Sequence, residues 1–158
     1  VIDWYIESLG DITLENNIIS IQIALEALSY IILVEKEGLL DDEQFDQNNA
    51  SKNIKLVLNA CNIPHGSDEL ELFDDWIRGK FDDGVDLVIY FRNKIVHPVR
   101  KDNRANLTVE DMWNIIQIGT KYIELIVLSF IGYKGEYSNR LKERWFGEVE
   151  VVPWNKLD

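Results

Sequence analysis

The sequence contains one cysteine, one methionine, three prolines and two histidines in 158 residues, and its 16 Lys and Arg are outnumbered by 28 Asp and Glu. Each scarcity excludes something. A lone Cys61, in "LVLNACNI", can close no disulfide within the chain and joins no ligand cluster. It reads as a small core residue in a reducing compartment, the cytoplasm. No His/Cys set at metal-ligand spacing, glycine-rich phosphate loop or nucleophile elbow occurs, so neither metal nor cofactor is expected. His65, in "NIPHGSDE", is read as a loop residue without a second ligand. The deficit of base gives a net charge of −12, so the surface as a whole repels phosphate polymers and any nucleic acid must be gripped locally. The apolar run 18–34 carries Gln22 and Glu26, and the run 115–131 carries Lys121 and Glu124. Both read as core helices, and no membrane span is expected. No signal peptide is expected either. The chain starts at Val1 without Met, which points to a piece of a longer protein with a further domain or regulatory partner.

What is present is a helical pattern and ample core material. Hydrophobic residues make up 46% of the chain, with five Trp, six Tyr and six Phe, enough to fill one compact domain. A long helix is predicted over about 14–36, apolar on most faces and therefore central, ending before Gly38. The polar "DDEQFDQNNASKN" is read as loose. A second helix, "KNIKLVLNACNI", ends at Pro64; Ser67 caps a third, "DELELFDDWIRGKF". Asp82 or Asp83 starts a fourth, which runs to Pro98. Thr108 opens the fifth through a capping box with Asp111, and Gly132 stops it. The tail is read as a short basic helix in "YSNRLKERWF" and an extended "EVEVVPW". The expectation is an all-α bundle of about five helices over residues 1–135 with a small C-terminal appendage, 136–158, packed on it.

Five of the 16 basic residues fall within 92–104, in and after "YFRNKIVHP". On a helical wheel of the fourth helix, Val85, Val88, Ile89, Ile95 and Val96 form an apolar stripe, and Arg92 falls where the pattern asks for Leu. Asp86, Tyr90, Asn93 and His97 form a second stripe, which puts the Asn93 carboxamide one turn below the His97 imidazole, able to orient it. One reading is structural: Arg92 snorkels, Asn93 is solvated, and His97 is a histidine favoured at a helix C-terminus. The other is chemical. A permanently charged bidentate Arg and a His titrating near neutrality are the pair needed to hold a phosphodiester and move protons around it. Only the second accounts for the misplaced Arg. Lys94 and the loop residues Arg100, Lys101 and Arg104 are the candidates for RNA backbone contact, with a solvated turn as the alternative for the loop. Glu26 shares a polar stripe with Gln22 and Ser29; it either pairs with Arg92 or faces solvent.

The sequence Arg92-Asn93 followed by His97, at the end of a helix in an all-α chain, resembles the HEPN superfamily (higher eukaryotes and prokaryotes nucleotide-binding domain), whose signature is Arg, a polar residue that is often Asn, a few variable residues, then His. The resemblance covers the motif and, loosely, the helical run 14–131; within the superfamily it is most similar to ApeA-like proteins of prokaryotic defence. It implies a metal-independent endoribonuclease, a toxin or antiphage effector, whose homodimer brings two Arg and His sets into one cleft, with catalytic residues Arg92, Asn93 and His97. Some HEPN toxins carry a Tyr two residues beyond the His that a partner enzyme modifies; Val99 stands there, which puts that regulation in doubt. The competing expectation is a catalytically silent HEPN-like module that dimerises or senses a ligand for a larger protein.

Overall fold

A computed structural model describes residues 2–10, 13–97, 107–142 and 148–155. They are mostly helical, and the centre of the fold is a pair of long helices. Helix α1 spans Ile2–Ser8 and α2 spans Leu14–Tyr30, continued by a π-helical segment, Ile31–Lys36. The Thr13 hydroxyl caps α2 by accepting from the Asn16 N–H, satisfying a donor the first turn leaves open. Ile18, Ile21, Ala24, Leu25 and Leu28 are all buried on it, and so are Asn17, Ser20, Gln22 and Ser29, so almost every face is covered, as in a central helix.

The segment expected to be loose contains a helix, α3 (Asp42–Gln47), with its own capping box: the Asp41 carboxylate accepts from the Gln44 N–H, and the Gln44 side chain accepts from the Asp41 N–H. Helix α4 (Ala50–Ala60) ends before Pro64, at Cys61, which is buried as expected. The expected third helix is two short pieces, a 3₁₀ turn (Ser67–Leu72) and α5 (Asp75–Arg78). Gly66, not Ser67, stands at the start of the first, and Asp74 interrupts the run by capping the second. Helix α6 (Gly84–Val96) starts at the Asp83 cap, and α7 (Val109–Phe130) starts at the Thr108–Asp111 capping box.

Helix α2 packs chiefly against α7 and α1, and also against α4 and α6; α6 in turn packs on α7 and α4. At the α2–α7 crossing, a methyl group on Gly119 would collide with the Ile21 side chain, so the absence of a side chain sets how closely the two central helices approach. The segment Leu14–Lys36 is, among the described residues, the one helix long and apolar enough to cross a membrane, and most of it is buried within the fold.

The tail differs from its expected form. Strands β1 (Glu136–Tyr137) and β2 (Glu150–Val151) pair antiparallel, and residues 138–142 are irregular and turn where a basic helix was predicted. Glu150 explains the turn: it accepts from Tyr137 Oη, Asn139 Nδ2 and Lys142 Nζ at 2.6–2.8 Å. Burial opposes its charge, but these donors outweigh burial and hold its carboxyl at about 2. The tail lies on the bundle through buried Val152, the Trp154 Nε1 bond to the Tyr133 carbonyl, and Arg140, which grips Glu124 of α7.

Candidate functional site

The face that α6 buries is not the stripe expected for it. Gly84, Val85, Leu87, Val88 and Phe91 are buried, Ile89 and Ile95 are partly so, and Val96 is exposed. The core face is thus centred on positions 84, 87, 88 and 91, and Arg92 lies on its flank instead of its middle. The correction leaves Arg92 half-buried. Its Nη1 donates to Asn93 Oδ1 at 3.1 Å, and its Nε is shielded from solvent with no hydrogen-bond partner among the described residues. Among the described residues no carboxylate pairs with it, although the chain carries 28 acids.

Asn93 Oδ1 therefore meets Arg92; the expected bond from its carboxamide to the imidazole is not seen among the described residues. What reaches His97 is the Asn93 backbone: its carbonyl accepts from the His97 N–H at 2.8 Å, and His97 ends α6 as an exposed residue. Glu26 does not meet Arg92. Its carboxylate accepts from Gln22 Nε2 one turn earlier on α2, an i, i+4 pair that satisfies it locally. Arg100, Lys101 and Arg104 lie outside the described residues.

Up the exposed face of α6 from His97 runs a second group that the sequence reading missed. Tyr90 stands seven residues, about two turns, before His97. Its hydroxyl accepts from Lys80 Nζ at 2.7 Å, and this bond, ahead of the partial burial that opposes it, holds the phenol below its ordinary range. Lys80 Nζ also lies 4.0 Å from the Tyr90 ring centroid and 4.6 Å from that of Trp76, whose side chain is 49% exposed. Lys94 Nζ lies 5.5 Å from the centroid of the same Tyr90 ring. Trp76 and Lys80 come from α5 and the turn after it, so only the Tyr90-to-His97 spacing was visible in one helical pattern.

The start of α6 is fixed by partly buried polar contacts. Lys55 Nζ bridges Asp83 and Asp86, each at 2.7 Å, and Ser51 also donates to Asp86. Burial works against the Asp86 charge, but these bonds prevail and hold its carboxyl below the usual range. His65, read as a plain loop residue, is drawn into this group: its Nε2 is 3.2 Å from Asn59 Oδ1 and its Nδ1 is 3.7 Å from Asp83. Glu69 accepts from Lys121 Nζ at 2.6 Å and from the Tyr122 hydroxyl; all three residues are buried, and the Glu69 carboxylate and Tyr122 hydroxyl lie against Gly84. Beside them opens a cleft of about 470 Å³ reached by Lys121, Lys142 and Glu150. Among the described residues no group of three His, Cys, Asp or Glu is placed to hold a metal ion.

These features define a mostly helical domain that presents, at one helix end, a guanidinium with no carboxylate partner among the described residues, a carboxamide and an imidazole. The chain belongs to the YopA C-terminal domain family, whose model matches residues 1–151. It is 34% identical over 160 residues to the SPbeta prophage-derived uncharacterized protein YopA of Bacillus subtilis (strain 168), an alignment that takes in all of this chain and 35% of that protein. No solved structure matches the chain.

Proposed function

We propose that this domain is a metal-independent endoribonuclease of HEPN type that cleaves single-stranded RNA through 2′-OH attack, with Arg92, Asn93 and His97 as its catalytic set. The observation that carries the reading is Arg92: a half-buried guanidinium with, among the described residues, an unpartnered Nε and no carboxylate. A buried donor left unsatisfied costs free energy, and a snorkelling surface arginine has no reason to leave one. A phosphate oxygen is the bidentate partner that geometry suits.

In the proposed reaction, His97 takes the proton of a ribose 2′-OH, the 2′-oxygen attacks phosphorus, and the bond to the 5′-oxygen breaks. The products are a 2′,3′-cyclic phosphate and a 5′-hydroxyl. The leaving oxygen needs a proton, which the His97 of a second copy supplies in a two-fold symmetric dimer. Arg92 stabilises the charge that builds on the pentacoordinate phosphate, and Asn93 holds the guanidinium in place. Reliance on the 2′-OH restricts the substrate to RNA, and single strands are the accessible form. A prophage-derived relative suits a toxin or antiphage effector acting in the cytoplasm.

Cleavage of single-stranded RNA in EDTA, abolished by His97→Ala and by Arg92→Ala, is the expected result. Activity that needs added Mg²⁺, or that survives His97→Ala, refutes the mechanism. Sedimentation should give a dimer, and inactive His97→Ala subunits mixed into wild type should depress activity beyond dilution. A monomer that cuts RNA rules out the shared site. The second reading, a catalytically silent HEPN-like module of a larger protein, is favoured by the net charge of −12; a monomer or dimer that cuts no RNA would establish it over the first.

A further inference from the structure

A lysine held over both an exposed tryptophan and a tyrosine needs a reason. Trp76 leaves 49% of its surface in water, and α5, only four residues long, gains little from carrying it. Lys80 holds its ammonium against both rings and bonds to Tyr90 Oη. An ammonium has three N–H donors; Tyr90 takes one, and no carboxylate among the described residues takes another. The neighbouring acids are otherwise engaged: Asp74 caps α5, and Asp75 holds Arg78. Asp82 stays exposed and opposes an approaching phosphate, so a ligand here must draw its affinity from the rings first and the cation second.

We propose that Trp76, Lys80 and Tyr90 form a nucleotide subsite for single-stranded RNA, in which a base stacks on Trp76 and Lys80 with Tyr90 Oη contacts the adjoining phosphate. Stacking on an aromatic side chain suits unpaired bases of any sequence. Tyr90 stands about 10 Å along α6 from His97, roughly three nucleotides at the ~3.4 Å spacing of stacked bases. Lys94, over the Tyr90 ring, lies on that path. The register of the strand rests on the ribonuclease reading above; the binding itself does not.

The test is fluorescence anisotropy with a labelled oligouridine of about twelve nucleotides, in a His97→Ala background so that the strand stays intact. Trp76→Leu should weaken binding roughly tenfold, Lys80→Gln several-fold, and Trp76→Phe should retain most of the affinity. A duplex of equal length should show no dependence on Trp76. Melting curves of the Trp76 variants should match the parent, since the ring is half in solvent; if Leu lowers stability, the contrast between Phe and Leu at a temperature where both are folded decides. Binding within twofold of the parent for Trp76→Leu, or no binding of RNA by the parent, overturns the subsite. Wild type that binds through Trp76 yet cuts nothing leaves the subsite standing and removes the ribonuclease reading; wild type that cuts in EDTA with no dependence on Trp76 does the reverse.

Discussion

Removing the Glu69 carboxylate should destabilise the domain more than any exposed substitution, through the helix that carries the site. Glu69 and Lys121 are 7% and 8% exposed, and Tyr122 is fully buried. Glu69→Leu leaves the Lys121 ammonium without its anion and the Tyr122 hydroxyl without its acceptor. Breaking a buried pair by deleting one partner costs roughly 3–5 kcal/mol, and an orphaned buried hydroxyl adds about 1–3 kcal/mol. The adjoining cleft offers Lys121 some relief through water and Glu150, so the lower part of that range, about 3 kcal/mol, is expected. Against a total stability of about 5–15 kcal/mol, this should lower the midpoint of thermal unfolding by roughly 6–12 °C. Glu69→Gln should lose less, since a carboxamide oxygen still accepts from Tyr122. Glu69→Leu with Lys121→Met should recover the ion-pair part of the loss, because an apolar pair replaces an ion pair at little cost, and should leave the share of the orphaned Tyr122 hydroxyl. Urea unfolding followed by circular dichroism, with the denaturant slope compared across variants, measures each arm. A loss under about 1 kcal/mol for Glu69→Leu, or a double variant as poor as the summed singles, would refute the reasoning.

Gly84→Ala should cost about 1–3 kcal/mol in the same assay, because its Cβ would stand 2.6 Å from the Ile118 side chain, 2.8 Å from the Tyr122 hydroxyl and 2.9 Å from Glu69. Glu150 ionises at about 2 in the fold against 4.5 ordinarily, so its contribution is present above pH 4.5 and is lost as pH falls toward 2; Glu150→Gln should flatten stability across that window, seen in acid titrations of the melting temperature. Tyr122 is raised well above 10, by burial first and the Glu69 charge second, so the fold keeps its proton; stability should decline above pH 10, and Tyr122→Phe should make that decline shallower, with a steepness equal to the parent's refuting the assignment. Arg100→Ala with Lys101→Ala should weaken binding to unrelated RNAs alike and flatten its salt dependence, as backbone contacts do; unchanged slopes would make this segment a solvated turn.

The long helices were legible because their signals are local. Thr108 with Asp111, Asp83 before an apolar run, and the all-round apolar pattern of 14–36 each act within a few residues. Helix α3 was missed: its capping signal, Asp41 with Gln44, stands in a polar segment that lacks a broad apolar face and so looked loose. The break at Asp74 was hidden because Leu70, Phe73 and Ile77 keep helical spacing across it, while the Asp74 carboxylate caps a new helix. The motif's residues could be found, but not their partners. Whether Asn93 Oδ1 meets Arg92 depends on which way a guanidinium bends, and Trp76 and Tyr90 are linked only through Lys80, which lies over both rings, a contact no periodicity encodes.

The charge distribution constrains how the proposed RNA site can work. At about 0.1 M salt the Debye length is roughly 10 Å, so a strand lying along α6 feels Lys80, Arg92 and Lys94 directly and most of the 28 acids only through screening. Two effects of salt then oppose each other. Counterions released by phosphate contacts make affinity fall as salt rises, with a slope of about −0.7 per contact for single strands. Screening of the −12 background makes affinity rise. The net slope should therefore be shallower than the basic residues alone would give, and affinity should hold best at intermediate salt. Stacking on Trp76 is insensitive to screening, so its share of the binding grows as salt increases. A site built this way selects for unpaired bases more strongly than for charge, and the acidic surface acts against duplexes, which offer phosphates at high density but no free base to stack.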